Sequence, residues 1–231
     1  MQIEALKHDT NETTLHRYTL CKQIYLSALA TGFVALKYTV NLHIPTQSDP
    51  VPVKSVFGWI IIHQRVSYTF NWQLPWAKYK SGFGSIDADF WLGLEKVHLL
   101  TCSQPYRLRV EVQYRSSNLW YADEYWSFKV GDELSDKYRL EVSGYSGDAG
   151  DELRYVSDIG GNGNFGDYNH NGMKFTTYDQ DNDGGDGENC ATSRGGGWWY
   201  NRCYWVCLTC AGGHYQGAVL YAESRMMIKP Q

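Results

Sequence analysis

The chain of 231 residues carries 21 lysines and arginines against 25 aspartates and glutamates, a formal charge of −4, with 43% hydrophobic and 20% charged residues. That length allows one sizeable core, and the balance argues against a disordered chain, a coiled coil, or a general attraction to nucleic acid or anionic membrane, which reward clustered cations. Aromatics reach 15%, with nine Trp and eighteen Tyr beside 23 Gly, a mixture that suits loop-rich structure packed by flat, rigid side chains.

Residues 1–20 show neither helical nor strand periodicity and read as a tail, with Asn11-Glu12-Thr13 as a glycosylation triplet. Glu4, Asp9 and Glu12 precede any apolar run, so no clean signal peptide is visible. The apolar stretch Ile24 to Leu36 is shorter than the ~20 residues of a membrane helix, and Gly32 and Lys37 interrupt and end it. No membrane span is expected.

From about Phe33 the pattern turns strand-like: Tyr38 to Ile44, then Val51-Pro52-Val53, then Trp59 to His63. The β-branched run Ile60 to Ile62 predicts a strand covered on both faces. Asn71 to Lys80 places Trp72, Trp76 and Tyr79 at spacings of four and three, which predicts a helix that turns three rings to one side and stops at Gly82. A second short helix is expected over Gly93 to Leu100. Strands follow at Tyr106 to Val112, Trp120 to Val130 and Tyr138 to Val142. Leu108, Val110 and Val112 alternate with Arg107, Arg109 and Glu111, the two-residue period of a sheet with one wet face.

From Gly144 to Gly217 the texture changes, with Gly, Asn and Asp dominant and the apolar residues mainly aromatic. Such a region is expected to be an ordered, loop-built lobe that needs covalent or metal staples. Asp179, Asp181 and Asp183 alternate with Gln180 and Asn182, and Gly184 and Gly185 follow. Carboxylates succeeded by glycine let a short loop turn side-chain and backbone oxygens toward a hard cation such as calcium. The loop is not an EF-hand, because counting from Asp179 puts Cys190 where the bidentate Glu belongs and no amphipathic helix flanks it. Taken alone, the same residues also read as a solvated acidic loop.

Cys190 and Cys203 are spaced so that a disulfide between them would close a short loop, worth roughly 3 kcal/mol in the chain-entropy account. Zinc is the competing use of Cys203, Cys207 and Cys210, since the last two have knuckle spacing, although a second CxxC is missing. No catalytic constellation of comparable strength is present: no GxSxG, HExxH or GxxxxGKS/T occurs, and the His residues are scattered. The chain reads as a binding domain and not as an enzyme.

Several segments, in order, resemble one known family. They are Trp59 to Arg65, Trp76 to Gly84, Asp89 to Glu95, Tyr106 to Val110, Phe175 to Asp183, Asn189-Cys190-Ala191, Gly196 to Asn201 and Met227 to Pro230. Together they are similar to the fibrinogen C-terminal domains of ficolins, tachylectins, tenascins, angiopoietins and fibrinogen, from about residue 33 to the end. The resemblance implies an α+β fold with a central antiparallel sheet, short helices and a loop-rich C-terminal lobe that binds calcium and ligand. In this reading 1–20 is the tail and 21–231 the domain, secreted and extracellular, with a homo-oligomer as an open possibility.

The resemblance also implies a set of site residues. The carboxylates of Asp181 and Asp183 would hold Ca2+ with backbone carbonyls at Gly185 and at Gly187 or Glu188. Cys190 and Cys203 would form a disulfide, and the Arg202–Cys203 peptide would be cis. The ligand pocket would lie at Arg202, Cys203, Tyr204 and Trp205, where exposed N–H groups could orient an acetyl carbonyl and a ring from Tyr200, Tyr204 or Trp205 could cover its methyl group. The departures are specific. Tyr204 stands where relatives often carry His, Cys207-Leu208-Thr209-Cys210 replaces an Asn-Leu-Asn-Gly run, and family residues are missing between Tyr215 and Arg225, shortening the domain near 211–225. Arg194 occupies an acidic position of fibrin-type peptide pockets. Cys21 lacks its expected partner near Lys54 or Ser55, and Cys102 is available instead. The leading expectation is lectin-like binding of acetylated carbohydrate or similar surface ligands in innate recognition. The alternatives are an extracellular matrix or signalling domain that contacts proteins, and a degenerate copy that keeps the calcium staple without a pocket.

Overall fold

Turn residues cut the apolar alternation into short runs, and these runs pair with one another. The computed structural model describes residues 38–42, 49–154, 169–185, 187–203, 206–211, 214–215 and 219–231. The expected tail, the Asn11 triplet, Cys21 and the apolar stretch up to Leu36 lie outside the described residues. The strands are β1 (Tyr38–Leu42), β2 (Val51–Val56), β3 (Trp59–Arg65), β4 (Phe83–Gly84), β5 (Phe90–Trp91), β6 (Tyr106–Tyr114), β7 (Trp120–Val130), β8 (Leu140–Gly147), β9 (His214–Tyr215) and β10 (Val219–Pro230). The helices are α1 (Trp76–Ser81), α2 (Leu94–Ser103), α3 (Glu133–Asp136) and α4 (Cys190–Arg194). The strand pairings are antiparallel, and the main path runs β1-β2-β3-β10-β6-β7-β8. The architecture is α+β, as expected. Among the described residues no helix is long and apolar enough to cross a membrane.

The alternation in β6 places Leu108, Val110 and Val112 in the core and leaves Arg107 and Arg109 half-buried on the opposite face. Ile60, Ile61 and Ile62 are all buried although successive side chains point to opposite faces, so β3, which lies between β2 and β10, is covered on both faces here. Three features depart from the sequence reading. First, the helix expected from Asn71 begins only at Trp76, with Pro75 as its N-cap at φ −73° and ψ 163°. Proline keeps the preceding residue out of helical backbone, so Trp72 reaches the core from the irregular segment before the helix, while Trp76 and Tyr79 reach it from the helix. Second, β8 continues past Gly144 to Gly147, because Tyr145 pairs with Tyr125 and Ser146 with Glu124. Third, β10 fills the centre of the sheet, with Ile228 opposite both Ile60 and Leu108.

The loop-built lobe packs its aromatic run onto this frame. Trp198, Trp199 and Tyr200 are buried, and Phe175 meets Trp199 edge-on at 5.1 Å and Tyr79 at 5.1 Å. Tyr79 Oη donates to the carbonyl of Trp72 at 2.7 Å and accepts the N–H of Gly197 at 2.9 Å, joining α1 to the lobe. Gly197 is glycine for want of space: a Cβ there would lie 2.8 Å from both Phe175 and Tyr79 ring atoms.

Candidate functional site

The acidic loop divides its polar residues between anchoring and display. Thr177 and Gln180 exchange backbone hydrogen bonds at 2.9 and 3.1 Å, making a tight turn. Asp179 Oδ1 accepts from the N–H of Trp76 at 2.8 Å and from Thr177 Oγ1 at 2.7 Å, so this carboxylate satisfies one of the orphan donors at the start of α1. Asn182 is turned inward too, donating through Nδ2 to the carbonyl of Phe175 at 2.9 Å. Asp181 is left exposed at the surface of the loop.

Asp183 sits at the centre of the arrangement. Its Oδ1 accepts the N–H of Gly185 at 2.8 Å and its Oδ2 accepts the N–H of Cys190 at 2.8 Å, while its own N–H donates to Asp181 Oδ1 at 3.3 Å. Burial raises the Asp183 carboxyl above the usual carboxylate range and the Asp181 charge adds to the rise, against the pull of the two N–H donors. Gly185 lines the same space: a Cβ there would stand 3.1 Å from Asp183 Oδ1 and 3.8 Å from the carbonyl oxygen of Glu188. No comparable neighbour lies within 4 Å of the Cβ position of Gly187, which turns the chain at φ 100°. Asp186 is outside the described residues.

Among the described residues no three His, Cys, Asp or Glu side chains gather as a metal group. A cation here would draw on two carboxylates and backbone oxygens, a donor set that fits a hard ion such as calcium and not zinc. The residues present fit that group.

The loop is tied to the segment that follows α4. Asn189 caps α4, its Oδ1 accepting the N–H of Thr192 at 3.0 Å and its Nδ2 donating to the carbonyl of Thr177 at 3.0 Å. Gly184 donates its N–H to the carbonyl of Asn201 at 2.9 Å. The disulfide Cys190–Cys203 spans a Cα separation of 5.0 Å, and Asn201 and Cys203 form a β-bridge around Arg202. Arg202 is exposed and Cys203 half-buried. Tyr204 and Trp205 lie outside the described residues.

Three expectations are corrected. No peptide bond among the described residues is cis, so Arg202–Cys203 is trans; Cys203 takes up the turn with φ 59° instead. Tyr200 does not cover a surface ligand, because its ring is buried and its hydroxyl donates to the carbonyl of Gly196 at 2.6 Å. The zinc alternative fails, because Cys203 pairs with Cys190 and Cys207 pairs with Cys210 at a Cα separation of 5.4 Å. Cys102 is disulfide-bonded as well.

Two supporting groups were not anticipated from the sequence. Arg65, buried at 1% exposure, donates through Nη1 to the carbonyls of Cys210 at 2.6 Å and Leu208 at 3.2 Å, fastening the second disulfide loop to β3. His170 is bonded through Nδ1 to the carbonyl of Trp199 at 2.7 Å, which leaves Nε2 to accept the N–H of Val206 at 3.4 Å. Their signal in the sequence was at most a polar residue beside aromatics.

Residues 53–226 match the family described as the C-terminal globular domain of fibrinogen beta and gamma chains. Angiopoietin-related protein 1 of Homo sapiens is 38% identical over 190 residues, 75% of this chain but only 35% of its own length, so the chain spans about a third of that relative. Among solved structures, the fibrinogen-like globe domain of human ANGPTL2 superposes with a TM-score of 0.74 at 30% identity, covering 89% of this chain and 97% of that one. A lamprey fibrin D-dimer, complexed with the peptide ligand Gly-His-Arg-Pro-amide, superposes with a TM-score of 0.73 at 25% identity, covering 99% of this chain and 88% of that one.

Proposed function

This chain belongs to the fibrinogen C-terminal globular domain family, and on that premise we propose that it is a secreted, calcium-stabilised recognition module whose C-terminal lobe binds an extracellular protein without catalysing a reaction. The observation that carries this reading is the double engagement of Asp183, which links the acidic loop to α4 and so to the disulfide that holds Arg202 at the surface. Asp181, Asp183 and the backbone at Gly185 and at Gly187 or Glu188 would hold the ion. Calcium there supplies positive charge that relieves the repulsion between the two carboxylates and stiffens the loop. Arg202, Cys203, Tyr204 and Trp205 form the proposed contact surface, and Arg with aromatic rings is the composition of protein-binding hot spots. The disulfides support an oxidising, extracellular setting.

Acetylated carbohydrate is the second ligand class at this lobe. It has less support, since Tyr200 is committed to the core. The test is surface binding of labelled full chain to cells before and after trypsin treatment, beside retention on N-acetylglucosamine resin. Binding that trypsin abolishes, and that Arg202→Glu reduces about tenfold at unchanged melting temperature, supports the protein reading. Retention on the resin with trypsin-resistant cell binding transfers the site to sugar, and absence of both rejects the module.

A further inference from the structure

One face of the sheet, built on β6, β7 and β10, carries an ordered network that the proposed function does not use. Glu111 accepts from Arg109 Nε at 2.6 Å and pairs with Arg225, and Glu124 accepts from Arg109 Nη1 at 2.6 Å and pairs with Arg107. The guanidinium of Arg107 lies over Trp126 at 4.9 Å and over Trp59 at 5.5 Å, and that of Arg225 lies over Trp120 at 5.2 Å. Trp120 and Trp126 nevertheless remain 42% and 58% exposed. Between them on β7 stand Ala122 and Glu124, and there the surface opens into a cavity of about 370 Å³ lined by Arg109, Ala122, Glu124, Ser146, Gly147 and Asp148.

From this arrangement we infer that this sheet face is a glycan-binding groove, with one hexose ring seated over Ala122 and the chain running along β7 between the two indoles. The cavity has the volume of a small-ligand site. Its floor is small, at Ala122 and Gly147, and its walls mix a guanidinium donor, a serine hydroxyl and carboxylate acceptors, which matches hydroxyl groups that both donate and accept. Asp148 Oδ1 is taken by the N–H of Ala122 at 2.7 Å, which aims the carboxylate along the cavity wall. Six residue-to-residue steps of extended strand set the rings about 20 Å apart, whereas protein hot spots cluster around a dry centre. Two aromatic platforms with a wet, polar interval between them suit an extended polyhydroxylated chain better than a folded partner. The stacked arginines hold the indoles in place, so little side-chain freedom is lost on binding.

The experiment is calorimetric titration of the full chain with cellohexaose, chitohexaose and mannohexaose, with and without EDTA. At least one hexasaccharide binds, EDTA leaves that binding unchanged, and Trp120→Ala and Trp126→Ala each weaken it about tenfold. Ala122→Leu, which fills the floor, abolishes it at unchanged melting temperature; where that variant does not fold, the exposed Asp148→Ala weakens binding instead. Failure of all three sugars at millimolar concentration, loss of binding in EDTA, or indifference to the Trp120 and Trp126 substitutions overturns the groove. Loss of cell-surface protein capture in Trp120→Ala without any hexasaccharide binding gives the face to a protein partner and equally overturns it.

Discussion

Asp183 and Cys190 share a hydrogen bond of 2.8 Å from the cysteine N–H to the carboxylate Oδ2, so the acidic loop and the disulfide-bonded start of α4 form one mechanical unit. Whatever stiffens one side stiffens the other. A cation placed against Asp183 is therefore felt at Cys203 and at the exposed Arg202.

Calcium should raise the melting temperature of the full chain. A ligand that binds only the folded state at a hundredfold excess over its Kd stabilises by about 2.7 kcal/mol, roughly 5–10 °C for a domain of this size. Asp181→Ala should remove most of that increment with little effect in EDTA. Asp183→Ala should remove it and also lower stability in EDTA by about 1–3 kcal/mol, because the N–H groups of Gly185 and Cys190 lose their acceptor. Melting curves in calcium and in EDTA check this, and a wild type that melts identically in both rejects the ion.

Arg65 should be indispensable although it touches no acidic group in its hydrogen bonds: its Nη1 serves the carbonyls of Leu208 and Cys210, and its guanidinium lies near the rings of Tyr68, Trp72 and Tyr221 at 5.6, 5.8 and 5.9 Å. Arg65→Met should cost about 3 kcal/mol through the buried carbonyls it strands. Arg65→Lys should recover only part of this, since an ammonium lacks the planar fork. Urea unfolding midpoints measure both, and a neutral Arg65→Met would show that the second disulfide loop holds itself.

Acid should destabilise the fold through two histidines. Burial, with the charge of Arg65 adding, lowers His63 to about 3, and burial lowers His170 to about 4 against the help of the Trp199 carbonyl. Both folded-state values lie below the unfolded value near 6.5, so the unfolded chain takes up protons first as pH falls. Their contribution is intact above about pH 6.5 and drains away between that value and pH 3–4. At pH 5 each histidine costs about 2 kcal/mol relative to pH 7. The difference in urea-unfolding free energy between pH 7 and pH 5 should shrink in His170→Gln. An unchanged difference would locate the acid sensitivity elsewhere.

Much of the frame was legible because strand pattern is a local property. The alternation around Leu108, the β-branched run at Ile60 and the aromatic texture after Gly144 follow from side-chain direction and need no neighbour to be recognised. The acidic loop was legible for the same reason, since alternate carboxylates and glycines announce an oxygen-rich turn before any partner is known. The helix start was misjudged where a local rule was outweighed by another: ring spacing favoured Asn71, and Pro75 forbade it.

Tertiary structure decided what depends on residues far apart in the chain. That Asp179 anchors α1 while Asp181 stays at the surface depends on the N–H of Trp76, more than a hundred positions away, coming within 2.8 Å. The insertion of β10 between β3 and β6 likewise depends on pairing over most of the chain, and it brings Arg225 over Trp120. The amino-acid sequence by itself determined which segments extend, which turn and where oxygen donors accumulate. Only the folded chain decided which donor faces the loop and which faces the core, because a hydrogen bond forms only where two groups come within about 3 Å and the sequence does not say which distant groups meet.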